Sequence, residues 1–251
     1  MSTRQILDLI NDEDAKIPAA VRAAIPQIER AVDLIVAALA SGHRLFYIGA
    51  GTSGRLGVLD ASEMPPTFGV EPELVTGIIA GGDHALRMSI EGAEDQAWAG
   101  TRDLGALCRM GDVVVGISAS GRASYAVAAI EKAKADFHAA ATIAITCNPD
   151  SALARAADVA IVVEVGPEVI AGSSRMKAGT ATKLVLNMLS TAAMIRSGRT
   201  RGDLIVDLRP TNAKLRARAI RMVQDETGLG EDEARARLEA AGWSVRKALG
   251  S

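Results

Sequence analysis

The stretch that decides the fold is Gly-Ala-Gly-Thr-Ser-Gly-Arg-Leu-Gly-Val-Leu-Asp-Ala-Ser-Glu, residues 49–63. An apolar, aromatic-rich run ends at Ile48 just before this glycine turn, and a helix-compatible segment follows it. Where a glycine turn joins a strand to a helix, the backbone N–H groups of the turn and of the helix N-terminus can bind a phosphate. Thr52 and Ser53 add hydroxyl donors, and Glu63 adds a carboxylate farther along the helix. The stretch therefore indicates a phosphorylated small molecule and proton-transfer chemistry.

The remaining pattern predicts an α/β fold with an open parallel sheet. Residues 1–40 carry apolar side chains at helical spacing, and Ser41-Gly42 ends that pattern. Largely apolar runs then alternate with helical patterns, as expected for a sheet covered by helices on both faces. We expect strands at 45–48, 74–80, 112–117, 141–146 and 159–165, and a long helix at 176–196. After about Pro210 we expect short amphipathic helices at 211–226, 231–240 and 243–249.

Composition excludes several function classes. A chain of 251 residues with 49% apolar residues can bury a substantial core, and a net charge of −2 argues against nucleic-acid or membrane-surface partners. Two cysteines and three scattered histidines are too few for a disulfide framework or a metal site, so we expect no metal. The N-terminus has no apolar signal core and no long apolar span follows, which favours the cytoplasm.

Polar, glycine-containing loops follow three of the predicted strands. They are Gly49 to Arg55, then Ser-Ala-Ser-Gly-Arg-Ala-Ser at 118–124, then Ala-Gly-Ser-Ser-Arg-Met-Lys-Ala-Gly-Thr at 171–180. Open parallel sheets bind ligands at the carboxyl ends of their strands, and hydroxyl groups suit a phosphate monoester. We therefore expect the three loops to form one phosphate site.

Two acids stand near these loops. Glu63 precedes Met64-Pro65-Pro66, which we expect to end the helix after the first loop, and Glu94 follows the second strand. Spacing alone does not distinguish these two from three neighbouring acids, which are Asp60, Glu91 and Asp95.

The chain resembles the N-acetylmuramic acid 6-phosphate etherase family. The resemblance rests on residues 49–63, on Glu-Gly-Ala-Glu-Asp at 91–95, on Gly-Ser-Ser-Arg-Met-Lys-Ala-Gly-Thr at 172–180 and on Ile-Asn-Asp-Glu-Asp at 10–14. It implies a sugar isomerase (SIS) phosphosugar-binding domain at 41–208, N-terminal helices at 1–40 that pack on it, and a ubiquitin-associated-like helical domain at 209–251. Typical members begin earlier and end later, so we expect parts of both ends to lie outside this chain.

The resemblance also implies a reaction. The family converts the D-lactyl ether at C3 of the phosphosugar to a hydroxyl, which yields N-acetylglucosamine 6-phosphate and D-lactate without a metal or redox cofactor. Opening of the ring acidifies the C2 proton, lactate is eliminated, and water adds back. By resemblance Glu63 falls on the proton donor and Glu94 on the second catalytic acid, the C2 base. A donor that stays protonated near neutral pH needs partial burial, so we expect Glu63 to be partly buried.

The substrate contacts carried over from the family are Gly51, Thr52, Ser53, Ser118, Ser120, Ser173 and Ser174. One position departs from the family, which usually reads Ser-Gly-Arg-Thr-Pro-Tyr where this chain has Ser-Gly-Arg-Ala-Ser-Tyr at 120–125. Ala123 removes the threonine hydroxyl, and Ser124 restores it only if the loop shifts by one residue. Substrate sites in this family lie near a dimer interface, so we expect a homodimer.

Two other functions fit a sugar-phosphate fold. An aldose–ketose isomerase needs only one proton-shuttling base, and the paired acids argue against it. A non-catalytic sugar-phosphate sensor that reads DNA needs a basic N-terminal region. Residues 1–40 carry four cations against six acids, which disfavours that function.

Overall fold

The computed structural model describes residues 1–207, 210 and 213–250. Within these residues the chain forms two compact units. The first comprises 1–62 and 73–193, and the second comprises 63–72 and the described residues from 194 onward.

A five-stranded parallel sheet forms the centre of the first unit. Its strands are β1 (Leu45–Gly49), β2 (Val75–Ile79), β3 (Val113–Ile117), β4 (Ala141–Thr146) and β5 (Val159–Val162), in the order β2-β1-β3-β4-β5. Every residue of β1, β3 and β4 is buried, because helices cover both faces. The predicted parallel α/β sheet is confirmed.

Strand β5 ends three residues before its predicted end at Val165. Among the described strands it pairs with β4 alone, and so it lies at the edge of the sheet. Val162 pairs with Thr146, the last residue of β4, so the ladder stops for lack of a partner. Val163 and Val165 lie beyond the ladder but are still buried, and Glu164 between them is exposed. Sequence alone does not separate this alternation from strand pairing.

The helices agree closely with the predicted pattern. They are α1 (Thr3–Asp14), α2 (Ile17–Ala23), α3 (Ile25–Ala40), α4 (Gly51–Phe68), α5 (Ala97–Gly105), α6 (Ser124–Ala135), α7 (Ala152–Ala156) and α8 (Lys177–Arg196). The region 1–40 forms three helices, with a proline in the first turn of α2 and of α3.

The predicted end of α4 at Met64 is wrong, since the helix continues through Pro65 and Pro66 to Phe68. Each proline removes its own N–H bond and crowds the carbonyl four residues earlier, but Met64 and Phe68 are both buried. Packing therefore holds the last turn, and Gly69, with φ of +65°, closes it.

The second unit contains a short hairpin and three helices. The hairpin pairs β6 (Thr200–Arg201) with β7 (Leu204–Ile205), and the helices are α9 (Ala213–Thr227), α10 (Glu231–Ala240) and α11 (Val245–Ala248). Three acids occupy the first turn of α10, and Gly242 follows its end with φ of +63°, as predicted. Predicted helix residues 211–212 and the predicted boundary at 208–209 lie outside the described residues. The ubiquitin-associated-like character stays a prediction.

Helix α4 lies unusually close to the sheet. A Cβ atom on Gly77 of β2 would stand 2.5 Å from the Cα of Val58 on α4, which is closer than real Cβ atoms approach. Because the obstacle is backbone, no side-chain rotation relieves the overlap. Within the described chain, no helix combines the length and the apolar character needed to cross a bilayer.

We expect Gly77→Ala to lower the free energy of unfolding by about 1–3 kcal/mol, because the added methyl overpacks the α4–β2 contact. Gly105→Ala is the matched control. A Cβ there meets only side chains, the nearest at 3.5 Å, so stability should stay unchanged or rise slightly. Urea unfolding of both variants measures the difference, and equal stability of the two would contradict the close contact.

Candidate active site

A cavity of about 170 Å³ lies at the carboxyl ends of β1 and β3. It brings together six of the seven predicted substrate contacts and one predicted acid, which are Gly51, Thr52, Ser53, Ser118, Ser120, Ser174 and Glu94. All three hydroxyl-bearing loops therefore contribute to one wall. We call this cavity the phosphate pocket.

The first loop reaches the pocket because α4 begins directly after β1. Gly51 has φ of +54° and starts the helix two residues after the strand ends. A Cβ on Gly54 would stand 2.6 Å from the carbonyl oxygen of Gly49, so only glycine allows this turn to fold so tightly. Thr52 and Ser53 lie in the first helical turn, where backbone N–H groups have no helical acceptor.

The second loop ends at the N-terminus of α6. Gly121 has φ of +65°, and the N–H of Arg122 donates to the Oγ of Ser120 at 3.3 Å. Ala123 precedes the helix and lines the phosphate pocket, whereas Ser124 does not line it. The hydroxyl that Ala123 lacks is therefore not replaced by Ser124. Two helix N-termini, of α4 and α6, border the pocket and favour an anion there.

Two hydrogen bonds and an ion pair hold the third loop where it joins α8. The Glu168 carboxylate accepts the N–H groups of Lys177 at 2.9 Å and Ala178 at 3.1 Å. Lys177 is buried, and its Nζ lies 2.6 Å from the Oε2 of Glu13 on α1. Hydrogen bonds from Lys16 and from Lys177 lower the pKa of the Glu13 carboxyl to about 2. Ser174 lines the pocket, while half-buried Ser173 does not.

Glu94 lies between the phosphate pocket and a second cavity of about 310 Å³. It belongs to a 3₁₀ turn at Ala93–Asp95, and its side chain is exposed to solvent. Glu91 lines only the second cavity, and Asp95 lines neither. The structure therefore separates Glu94 from the two neighbouring acids that spacing alone did not distinguish.

Glu63, the other predicted acid, does not line the phosphate pocket. It lies twelve residues after Gly51, which is about 18 Å along the axis at the usual helical rise. Its side chain is exposed, so the expected partial burial is wrong for this chain alone.

Sequence reasoning missed Arg55, which lines the second cavity. A signal was present, because Arg55 follows Gly51 by four residues and so lies on the same face of α4. Among the residues that the structure describes, no group of three or more His, Cys, Asp and Glu side chains is arranged to hold a metal ion.

Family models match both halves of the first unit. A model of the glucokinase regulatory protein N-terminal SIS domain matches residues 27–134, and a model of the SIS domain matches residues 99–192. Among solved structures, phosphoheptose isomerase GmhA from Neisseria gonorrhoeae aligns with a TM-score of 0.61 at 18% identity, covering 76% of this chain and 98% of that one. A phosphoheptose isomerase from Francisella tularensis aligns with a TM-score of 0.57 at 19% identity, covering 76% and 100%. These structures share the SIS-type fold.

Curated relatives match nearly the whole chain. N-acetylmuramic acid 6-phosphate etherase of Symbiobacterium thermophilum is 57% identical over 249 residues, which cover 99% of this chain and 82% of that protein. N-acetylmuramic acid 6-phosphate etherase 2 of Vibrio parahaemolyticus is 52% identical and covers 99% and 83%. The etherase of Streptomyces avermitilis is 52% identical and covers 99% and 80%.

Ala123 is the residue that precedes α6, and it offers no side-chain acceptor to the helix. We expect Ala123→Ser to raise the free energy of unfolding by about 1 kcal/mol, because serine caps a helix N-terminus well. Ala119→Ser is the control, since it adds a hydroxyl to the same pocket outside a helix cap. Denaturant unfolding compares the two, and a gain in both variants or in neither would contradict the capping argument.

Proposed function

The chain belongs to the N-acetylmuramic acid 6-phosphate etherase family, and we propose that Glu94 and Glu63 are the two acids of its reaction. The enzyme cleaves the D-lactyl ether of N-acetylmuramic acid 6-phosphate, a step of cell-wall sugar recycling. We infer a lyase mechanism, in which elimination of D-lactate precedes addition of water at C3 to give N-acetylglucosamine 6-phosphate. We also infer that the enzyme acts in the cytoplasm.

This proposal rests on one observation: hydroxyl groups from three loops line the same cavity as the carboxylate of Glu94. The phosphate pocket offers the hydroxyls of Thr52, Ser53, Ser118, Ser120 and Ser174 and the N-termini of α4 and α6. These groups donate hydrogen bonds to an anion at the 6-position. Glu94 at the margin of the pocket then lies beside the sugar carbons rather than beside the phosphate.

Elimination suits this arrangement because an ether is a poor substrate for direct displacement. In the open-chain sugar the C1 aldehyde acidifies the C2–H bond, so a carboxylate can remove that proton. The C3–O bond then breaks as the second acid protonates the departing lactate oxygen, leaving a C2–C3 double bond. Water adds its hydroxyl to C3 and a proton to C2, with the two acids exchanging roles.

We propose that the second acid, Glu63, comes from another copy of the chain. Glu63 lies about three helical turns from the start of α4 in its own chain, and its side chain is exposed. Leu59, one turn before Glu63, is 46% exposed. On α8, which Lys183 joins to Asp60 of α4 at 3.0 Å, Met188 is 38% exposed. We propose that these exposed apolar side chains lie in the interface of a homodimer, in which each copy supplies its Glu63 to the site of the other.

We expect Glu94→Gln to slow D-lactate release by roughly 10²- to 10⁴-fold, because the variant keeps the side-chain shape but loses the proton-transfer group. Binding of N-acetylglucosamine 6-phosphate should persist in calorimetry, since the phosphate contacts are untouched. Asp95→Asn is the matched control, as Asp95 lies next in the turn and lines neither cavity. Full activity in Glu94→Gln would remove Glu94 from the mechanism.

A further inference from the structure

The second cavity continues from the phosphate pocket past Glu94. The two cavities share Ala50, Gly51 and Glu94 in their walls. If the phosphate of a phosphosugar lies in the phosphate pocket, the rest of the sugar extends past Glu94. A substituent on the carbons beside Glu94 then lies in the second cavity. At about 310 Å³ the second cavity is the larger of the two.

The charges around the second cavity are unequal. Two acids, Glu91 and Glu94, line it, and among its described lining residues Arg55 is the one cation. Two carboxylates alone would repel an anionic ligand at this place. Arg55 supplies the compensating positive charge, and it lines this cavity but not the phosphate pocket.

The Arg55 guanidinium is held in place while its terminal nitrogens remain available. The side chain is half-buried, and its Nε donates to the carbonyl oxygen of Leu86 at 3.1 Å. That is the one hydrogen bond the described residues make with the guanidinium, and no carboxylate within the described chain forms an ion pair with it. An arginine fixed at Nε presents its two terminal nitrogens as a planar fork, which matches a carboxylate.

We propose that the second cavity is a carboxylate subsite in which Arg55 binds the carboxylate of the D-lactyl group. This inference rests on the proposed function, since it takes the phosphate to lie in the first cavity and Glu94 to act beside C2. Substrate and sugar product differ in one charged group, the lactyl carboxylate, which leaves with lactate. Arg55 therefore determines specificity for the substrate. The sugar product has no lactyl carboxylate, so it makes no contact with Arg55 and dissociates more easily.

The experiment compares Arg55→Met with Arg87→Met. Arg87 directly follows a 3₁₀ turn at Asp83–Leu86, whose last residue, Leu86, accepts the hydrogen bond from Arg55. Arg87 is exposed and lines neither cavity. We expect Arg55→Met to raise the KM for N-acetylmuramic acid 6-phosphate roughly 10- to 100-fold, because a charge-assisted contact is lost. Binding of N-acetylglucosamine 6-phosphate should be unchanged in calorimetry, and Arg87→Met should behave as wild type. Arg55→Lys, which keeps the charge without the fork, should give an intermediate KM.

A substrate variant isolates the contact itself. The methyl ester of the lactyl carboxylate should have a raised KM with the wild-type enzyme, whereas Arg55→Met should not distinguish ester from acid. Continued discrimination by Arg55→Met would overturn the proposal, and so would an equal loss of N-acetylglucosamine 6-phosphate affinity. The latter would show that Arg55 serves the phosphate pocket or the loop at Leu86. Failure of the proposed function is separate, because wild-type enzyme would then release neither D-lactate from the acid nor methyl D-lactate from the ester.

Discussion

The close contact between α4 and the sheet is the constraint on which the site depends. Glycines stand on both sides of it, with Gly49 and Gly77 on the strands and Gly54 and Gly57 on the helix. A Cβ on Gly57 would lie 2.9 Å from the Cβ of Tyr47, one on Gly54 2.6 Å from the carbonyl oxygen of Gly49, and one on Gly77 2.5 Å from the Cα of Val58. Because these glycines leave no space for side chains of their own, the helix packs close to the sheet, and the first turn of α4 lies at the carboxyl end of β1. The same helix then carries Arg55 into the second cavity and Glu63 to an exposed face.

Among its described lining residues, the phosphate pocket has no lysine or arginine. Helix N-termini and hydroxyl groups supply the positive potential and the donors instead. Charged side chains lie behind the pocket lining, where they hold the third loop and α8 in place. The buried Lys177 pairs with the partly exposed Glu13 and so joins α8 to α1, and Glu168 caps α8 where the third loop ends. In our proposal the phosphate is bound by these donors and dipoles, and the neighbouring carboxylates serve in proton transfer.

Much of this arrangement could be predicted from sequence because its signals are local. Apolar runs of strand length predicted the parallel sheet, which is confirmed. The hydroxyl-bearing loops line one cavity, as expected, and its role in binding a phosphate stays a prediction. The errors concern effects of tertiary packing. Two prolines did not end α4 because Met64 and Phe68 are buried, and β5 stopped where its neighbour stopped. The choice of Glu94 over Glu91 and Asp95 depends on the turn at Ala93–Asp95, which no spacing rule describes.

The central claim, that Glu94 of one copy works with Glu63 of another, is tested most directly with mixed dimers. Glu63→Gln and Glu94→Gln chains carrying different affinity tags are co-expressed, and the dimer containing one of each is purified. Each parent alone should release almost no D-lactate from N-acetylmuramic acid 6-phosphate. The mixed dimer should regain about half of the wild-type rate, because one of its two symmetric sites then has both acids. A mixed dimer as inactive as its parents, or a chain that forms no dimer, would contradict the account.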